Sequence, residues 1–203
     1  MRVDILPGAP GDVGFWNEGF WGMNITTITR YAATFYMRGT YSGSILCAFW
    51  NNTTGNMLGS TIFEADQTDA DGWIQYAQTF DVDVSAPDGA NTFHLTFDGP
   101  STAGTSLYFN MISVWQQTFE NGYLRWDLAD AVNAIGGKYL RLPGGNNLEG
   151  LGPPYRWIWN NTIGPIIDRP GRPGTWGYTN TDGLGLIEMM QVCCYDPCPY
   201  LLS

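Results

Sequence analysis

The loop Arg141-Leu-Pro-Gly-Gly-Asn-Asn-Leu-Glu-Gly150 follows an expected strand and carries the residues of this chain best suited to hold a sugar. Its paired glycines let a ligand approach the backbone. Asn146 offers an amide donor and a carbonyl acceptor, the combination a sugar hydroxyl uses. The pattern fits a ligand-free, Asn-rich turn equally well. Trp157, Trp159 and Trp176 follow within twenty residues. Indole faces stack on sugar rings, but they fill cores as readily. Asp168-Arg169-Pro170-Gly171-Arg172 reads as a local ion pair that stabilises a loop. The single histidine, His94, alternates with Phe93, Leu95 and Phe97 and reads as a solvent-facing strand residue. It has no nucleophile or acid partner in the sequence around it, so no Ser-His-Asp or Cys-His system is expected. Gly8-Ala9-Pro10-Gly11 is a turn, and neither a phosphate loop nor a dinucleotide fingerprint occurs. Cys193, Cys194 and Cys198 crowd the end of the chain without a histidine or a fourth nearby cysteine. That is a poor zinc set, and no metal or cofactor is expected.

The elements that must position these residues fall into two grammars. Up to about Gln117 the chain alternates apolar and polar residues: Tyr31 to Arg38, Ile45 to Phe49, Ile62-Phe63, Trp73 to Val84, Phe93 to Phe97 and Leu107 to Trp115. Turn formers separate the runs, among them Asn51 to Asn56, Asp69 to Gly72, Ala86 to Gly89 and Asp98-Gly99-Pro100. Short alternating strands with regular turns predict a sandwich or jelly roll. After Phe119 the period changes. Leu124, Leu128, Ala131 and Ile135 recur at helical spacing within Tyr123 to Ile135, and Gly136-Gly137 ends that helix. A strand is expected over Lys138 to Leu142, and a second helix from near Asp182 through Leu184, Leu186 and Ile187. The boundary is placed near Thr118, giving domains 1–118 and 119–203.

Composition agrees. Of 203 residues, 44% are hydrophobic and 15% aromatic, with 26 glycines and 12 prolines, which suits a turn-rich β protein with a real core. The net charge is −10. Residues 1–118 hold three basic and eleven acidic groups, net −8; the remainder holds six and eight, net −2. Nucleic acid and anionic membranes need a basic footprint and are excluded as main partners, whereas neutral sugars stay open. No apolar run is long enough to span a bilayer as a helix. Sequons at Asn24, Asn51, Asn52 and Asn160 fit a secreted glycoprotein whose signal lies outside this sequence.

Three stretches resemble the α-L-arabinofuranosidases of glycoside hydrolase family 51, in its fungal and plant-like branch. They are Lys138 to Gly150, Arg156-Trp-Ile-Trp-Asn-Asn-Thr-Ile-Gly-Pro165, and Asp168 to Leu186 reading on through Glu188. Gly19-Phe-Trp-Gly-Met-Asn24 resembles part of the sandwich which that branch inserts near the start of its barrel. The resemblance covers about residues 12 to 189. It implies a mainly β chain: a carbohydrate-binding-module-like β-sandwich (jelly roll) followed by the first part of a (β/α)8 barrel. It implies retaining hydrolysis of terminal α-L-arabinofuranosyl residues by two glutamates about 5–5.5 Å apart. Both belong to later barrel strands, and none of Glu18, Glu64, Glu120, Glu149 and Glu188 matches them, so the chain is expected to be inactive alone. The substrate-binding residues implied are Asn146 on the arabinofuranose ring, Trp176 at the site mouth and Arg141 in support of the catalytic carboxylates. Partners are then arabinose-containing cell-wall polysaccharides. The tail from Gln191 to Ser203, with two prolines and three cysteines, departs from the family's helix and suggests an incomplete gene model. A rival reading is a non-catalytic sugar-binding sandwich that uses Trp16, Trp21 and Trp73. A third is a non-functional product.

Overall fold

The computed structural model describes residues 1–119, 124–137, 139 and 141–194, the last three as backbone only. The chain divides into two units, 1–117 and 118–203.

Unit 1 holds eight strands: β1 (Arg2–Asp4), β2 (Asp12–Asn17), β3 (Tyr31–Arg38), β4 (Tyr41–Asn51), β5 (Asn56–Gln67), β6 (Ile74–Phe80), β7 (Asn91–Asp98) and β8 (Ser106–Gln116). They form two four-stranded antiparallel sheets, ordered β1-β8-β3-β6 and β2-β7-β4-β5. The alternation in β3 is complete: Tyr31, Ala33, Phe35 and Met37 are buried, and the residues between them are not. Side chains on a strand point to opposite faces in turn, so one face of each sheet must be covered. Aromatic rings cover it by crossing between the sheets. Phe35 of β3 meets Phe63 of β5 with centroids 5.1 Å apart, Tyr31 meets Phe49 of β4 at 5.0 Å, and Phe15 of β2 meets Phe109 of β8 at 5.2 Å. Each contact is close to edge-on, which aligns the positive ring edge with the negative face and adds about 0.5–1.5 kcal/mol to the area buried. Cys47 lies inside this core as a free thiol that burial pushes up to about 12.

Two expected turns carry more structure than their residues suggested. Asp98-Gly99-Pro100 begins α1 (Gly99–Thr102), whose first turn is capped by the Asp98 carboxylate accepting from the Ser101 amide at 2.8 Å. Asp69–Asp71 is a 3₁₀ turn in which Thr68 and Asp71 bond reciprocally. The expected strand from Trp73 to Val84 is shorter, Ile74–Phe80.

Unit 2 contains α2 (Trp126–Ala134), α3 (Gly145–Glu149), 3₁₀ turns at Trp159–Thr162 and Ile166–Asp168, a two-residue antiparallel pair β9 (Arg172–Pro173) with β10 (Thr179–Asn180), and α4 (Leu186–Cys194). Gly136, at φ +65°, follows α2 in the left-handed conformation that ends helices. Lys138 and Leu140 of the expected strand, and Tyr123 of the expected helix, lie outside the described residues. Tyr139, Arg141 and Leu142 are not in a strand. The second helix starts at Leu186 rather than near Asp182, because Asp182 (φ +52°) turns the backbone left-handed and Gly185 serves as the cap. It also continues through Gln191 to Cys194, past the point where the tail was expected to break it.

Candidate functional site

In unit 2 the buried side chains are charged rather than apolar. Among the described residues, Arg172, Glu188 and Thr162 are buried there, and Phe119 is its one buried hydrophobic residue. The Arg169 guanidinium pairs with Glu188 through both oxygens, at 2.6 and 3.1 Å. It also donates to the carbonyls of Gly164, Asp182 and Gly183 at 2.9, 2.9 and 3.0 Å. Both side chains of the pair are nearly sealed, at 3% and 9% exposure. Glu188 in turn accepts the Gly185 amide at 2.8 Å, three residues before it, and so closes the start of α4. Burial acts to raise the Glu188 carboxyl, but the hydrogen bonds from Arg169 and from the backbone outweigh it and hold the group below the usual carboxylate range. Gly185 must be glycine: a Cβ there would stand 1.9 Å from the Thr162 carbonyl oxygen.

Arg172, on β9, forms the second buried pair with Asp182 at 3.2 Å. The same guanidinium donates to Asn147 Oδ1 at 2.6 Å and to the Tyr155 carbonyl at 3.4 Å. One cation therefore ties together α3, the loop around Tyr155 and the segment that follows β10. Asp182 pins both arginines, its carboxylate to Arg172 and its carbonyl to Arg169, which accounts for an aspartate held at positive φ. Gly150 ends α3 at φ +56°, where a Cβ would stand 2.3 Å from the Tyr155 carbonyl. The turn therefore cannot be redrawn by another residue type without moving its neighbour.

These anchors place the expected site residues. Asn146 sits in the first turn of α3, exposed, and its side-chain amide makes no hydrogen bond among the described residues. Its neighbour Asn147 is the asparagine engaged by Arg172. Trp176 lies in the tight loop between β9 and β10, 65% exposed, where Gly174 donates to the Tyr178 carbonyl at 2.7 Å. The Arg172 pairs fasten both the helix of Asn146 and the hairpin of Trp176. Arg141 is exposed, and its guanidinium lies beside Gly144, 3.7 Å from where a Cβ would be; it meets no carboxylate among the described residues. Trp157 is half-buried and Trp159 exposed.

Several expectations need correction. Asp168 forms no ion pair with either neighbouring arginine. Arg169 and Arg172 reach carboxylates nineteen and ten residues away instead, because the 3₁₀ turn at Ile166–Asp168 points Asp168 into solvent. Asn51 is fully buried, and its amide donates to Asp88 and Asn91 at 2.8 and 2.9 Å, so this sequon is a structural knot rather than a glycan acceptor. His94 is half-buried between two tryptophans rather than free in solvent. Trp73 stacks near Arg38 beside the sheet opposite that of Trp16, so Trp16, Trp21 and Trp73 do not make one binding face. No described helix is long and apolar enough to cross a membrane.

Comparison with known proteins locates this architecture. The sequence profile of the alpha-L-arabinofuranosidase 1 domain matches residues 131–196. A probable alpha-L-arabinofuranosidase A of Aspergillus terreus is 44% identical over 196 residues, and the alpha-L-arabinofuranosidase A of Aspergillus niger is 42% identical. Each alignment covers 95% of this chain and 31% of the relative. The arabinose-bound structure of the MgGH51 α-L-arabinofuranosidase superimposes with a TM-score of 0.88 at 38% identity, over 99% of this chain and 33% of that one. The chain therefore spans about a third of the length of the relatives it matches.

Proposed function

We propose that the chain, similar to α-L-arabinofuranosidases about a third of whose length it spans, belongs to glycoside hydrolase family 51, and that unit 2 supplies the sugar-holding edge of a retaining arabinofuranosidase site. The observation that carries this reading is the division of labour between two adjacent asparagines. Arg172 and Asp182 immobilise Asn147, and that fixes α3 so that the Asn146 amide stands unengaged at the surface. A polar group held in place without a protein partner is preorganised for a ligand, and it is costless in the free state only because water can reach it. Trp176 on the fastened hairpin offers an apolar face for a sugar ring, and Arg141 a cation near the same turn.

The reaction is removal of terminal non-reducing α-L-arabinofuranosyl residues from arabinose-bearing polysaccharides, outside the cell. The two carboxylates it needs come from the part of the family's barrel that follows this stretch. Glu188 is committed to Arg169, and Glu149 ends α3 in solvent, so neither is placed as nucleophile or acid. The purified chain should leave an aryl α-L-arabinofuranoside intact. Grafted in place of the matching third of the Aspergillus terreus relative, it should restore hydrolysis. Turnover by the chain alone, or a folded but inert graft, would overturn the reading.

A further inference from the structure

Unit 1 carries an aromatic surface that its core does not use. Trp16 on β2, His94 on β7 and Trp50 on β4 lie side by side on the outer face of the β2-β7-β4-β5 sheet. The Trp16 and His94 rings are 6.3 Å apart with planes 22° from parallel, and His94 and Trp50 are 6.1 Å apart. The register produces this row: Trp16 pairs with His94, and Trp50 pairs with Thr92, two residues along the same face. Trp16 is 59% exposed, although a core-forming tryptophan would be covered.

Polar groups border the rings. The Thr92 hydroxyl donates to Asn52 Oδ1 at 3.2 Å and lies 2.9 Å from His94 Nε2, which leaves the exposed Asn52 amide nitrogen to the solvent side. One end of the row is pinned. Buried Asn51 bonds Asp88 and Asn91, and Asn91 donates to the Met23 carbonyl at 2.7 Å, locking the turn after β4 to the loops that flank β2 and β7. Burial lowers the His94 pKa, so the ring is neutral at neutral pH. The strand carboxylates of this face lie far along it. Asp12 is four residues from Trp16, about 13 Å, and Ser44, opposite Glu64, is six residues from Trp50, about 20 Å. Glu18, beyond the end of β2, is the nearest acid in sequence. The surrounding unit is strongly acidic, which opposes an anionic ligand.

We infer that this face binds a neutral glycan chain, its linked sugar rings lying across Trp16, His94 and Trp50, as a sugar site separate from the Asn146 loop. Indole and imidazole faces pack against the C–H faces of sugar rings, while the exposed Asn52 side chain, held by buried Thr92, meets hydroxyls at the rim. That the glycan is an arabinose-bearing polymer rests on the function proposed above; the stacking surface does not.

Affinity electrophoresis of the whole chain in gels containing soluble arabinoxylan or arabinan tests this. The chain should be retarded. Trp16→Ala, at an exposed position on an edge strand, should weaken retardation at least tenfold with an unchanged circular dichroism spectrum. Trp115→Ala, on the other sheet, should behave as the parent. No retardation of the parent chain by either polymer, or equal retardation of Trp16→Ala, would overturn the inference. Hydrolysis of the small aryl arabinofuranoside by the graft does not involve this face and should survive Trp16→Ala, so the two readings fail separately.

Discussion

The two units solve the folding problem with opposite materials. Unit 1 buries a continuous set of aromatic and aliphatic side chains, from Tyr31 and Phe35 to Phe97 and Phe109, between two sheets. Unit 2 buries two ion pairs, while large apolar residues such as Leu128, Ile135, Trp159, Trp176 and Ile187 are at least half exposed. Hydrophobic burial is non-directional and tolerates repacking, whereas a buried ion pair stabilises only when every donor and acceptor is matched. The sandwich thus rests on one continuous apolar core, whereas the loops between the helices of the second unit follow a path set by Arg169 and Arg172. A loop set of that kind suits ligand placement better than it suits independent stability.

The largest test of this contrast is mutational. Phe109→Ala removes a fully buried ring that touches Phe15, Phe35 and Phe97, and should cost about 3–5 kcal/mol, read as the urea midpoint of residues 1–117. Arg172→Ala leaves Asp182 buried without its cation and should cost a similar amount, about 3–5 kcal/mol, but locally. Hydrogen exchange should show amide protection lost around Asn147, Tyr155 and Asp182 while the sandwich strands stay protected. Equal loss in both units would dissolve the comparison.

Acid sharpens it next. The folded Glu188 carboxyl titrates below its ordinary value of 4.5, so its contribution is fully present above that pH and disappears as pH falls through the lowered folded value. Protection at the start of α4, relative to unstructured amides, should hold at pH 6 and fall below pH 4.5, before the sandwich responds. An unchanged profile would mean that the Arg169 pair does not hold α4. Cys47 gives an independent clock for unit 1. With its thiol pushed up to about 12 and no exposure, it should resist alkylation at pH 8 until the sandwich opens, whatever is done to Arg172. The smallest expected effect is Trp176→Ala, an exposed loop substitution within about 0.5 kcal/mol of neutral for stability.

The same contrast explains what the sequence disclosed. The alternation of Tyr31 to Arg38 and of Phe93 to Phe97 translated directly into β3 and β7, because a two-residue period is local information. The edge strands Arg2–Asp4 and Asp12–Asn17 were not separately legible, since they are short and carry little alternation. In unit 2 the helix ending at Gly136 was readable from its period and stop signal. The ion-pair partners were not: Asp168 is next to Arg169 and four residues before Arg172 in sequence, yet the two arginines pair with Glu188 and Asp182. Side-chain pairing across ten or nineteen residues of irregular chain has no period to reveal it. Asn146 was singled out by the residue type and its glycines, while the role of Asn147 became visible only through Arg172. Trp50 and His94 were hidden because facing neighbours on a sheet depend on register.

The most direct measurement compares the two asparagines in the active graft. Asn146→Ala should lower kcat/KM for an aryl α-L-arabinofuranoside by about 10- to 100-fold, the loss of one or two substrate hydrogen bonds worth about 1–3 kcal/mol, with no change in melting temperature. Asn147→Ala should instead lower the melting temperature of the region around α3. If Asn146→Ala hydrolyses as well as the parent graft, the sugar-holding role of this turn is contradicted.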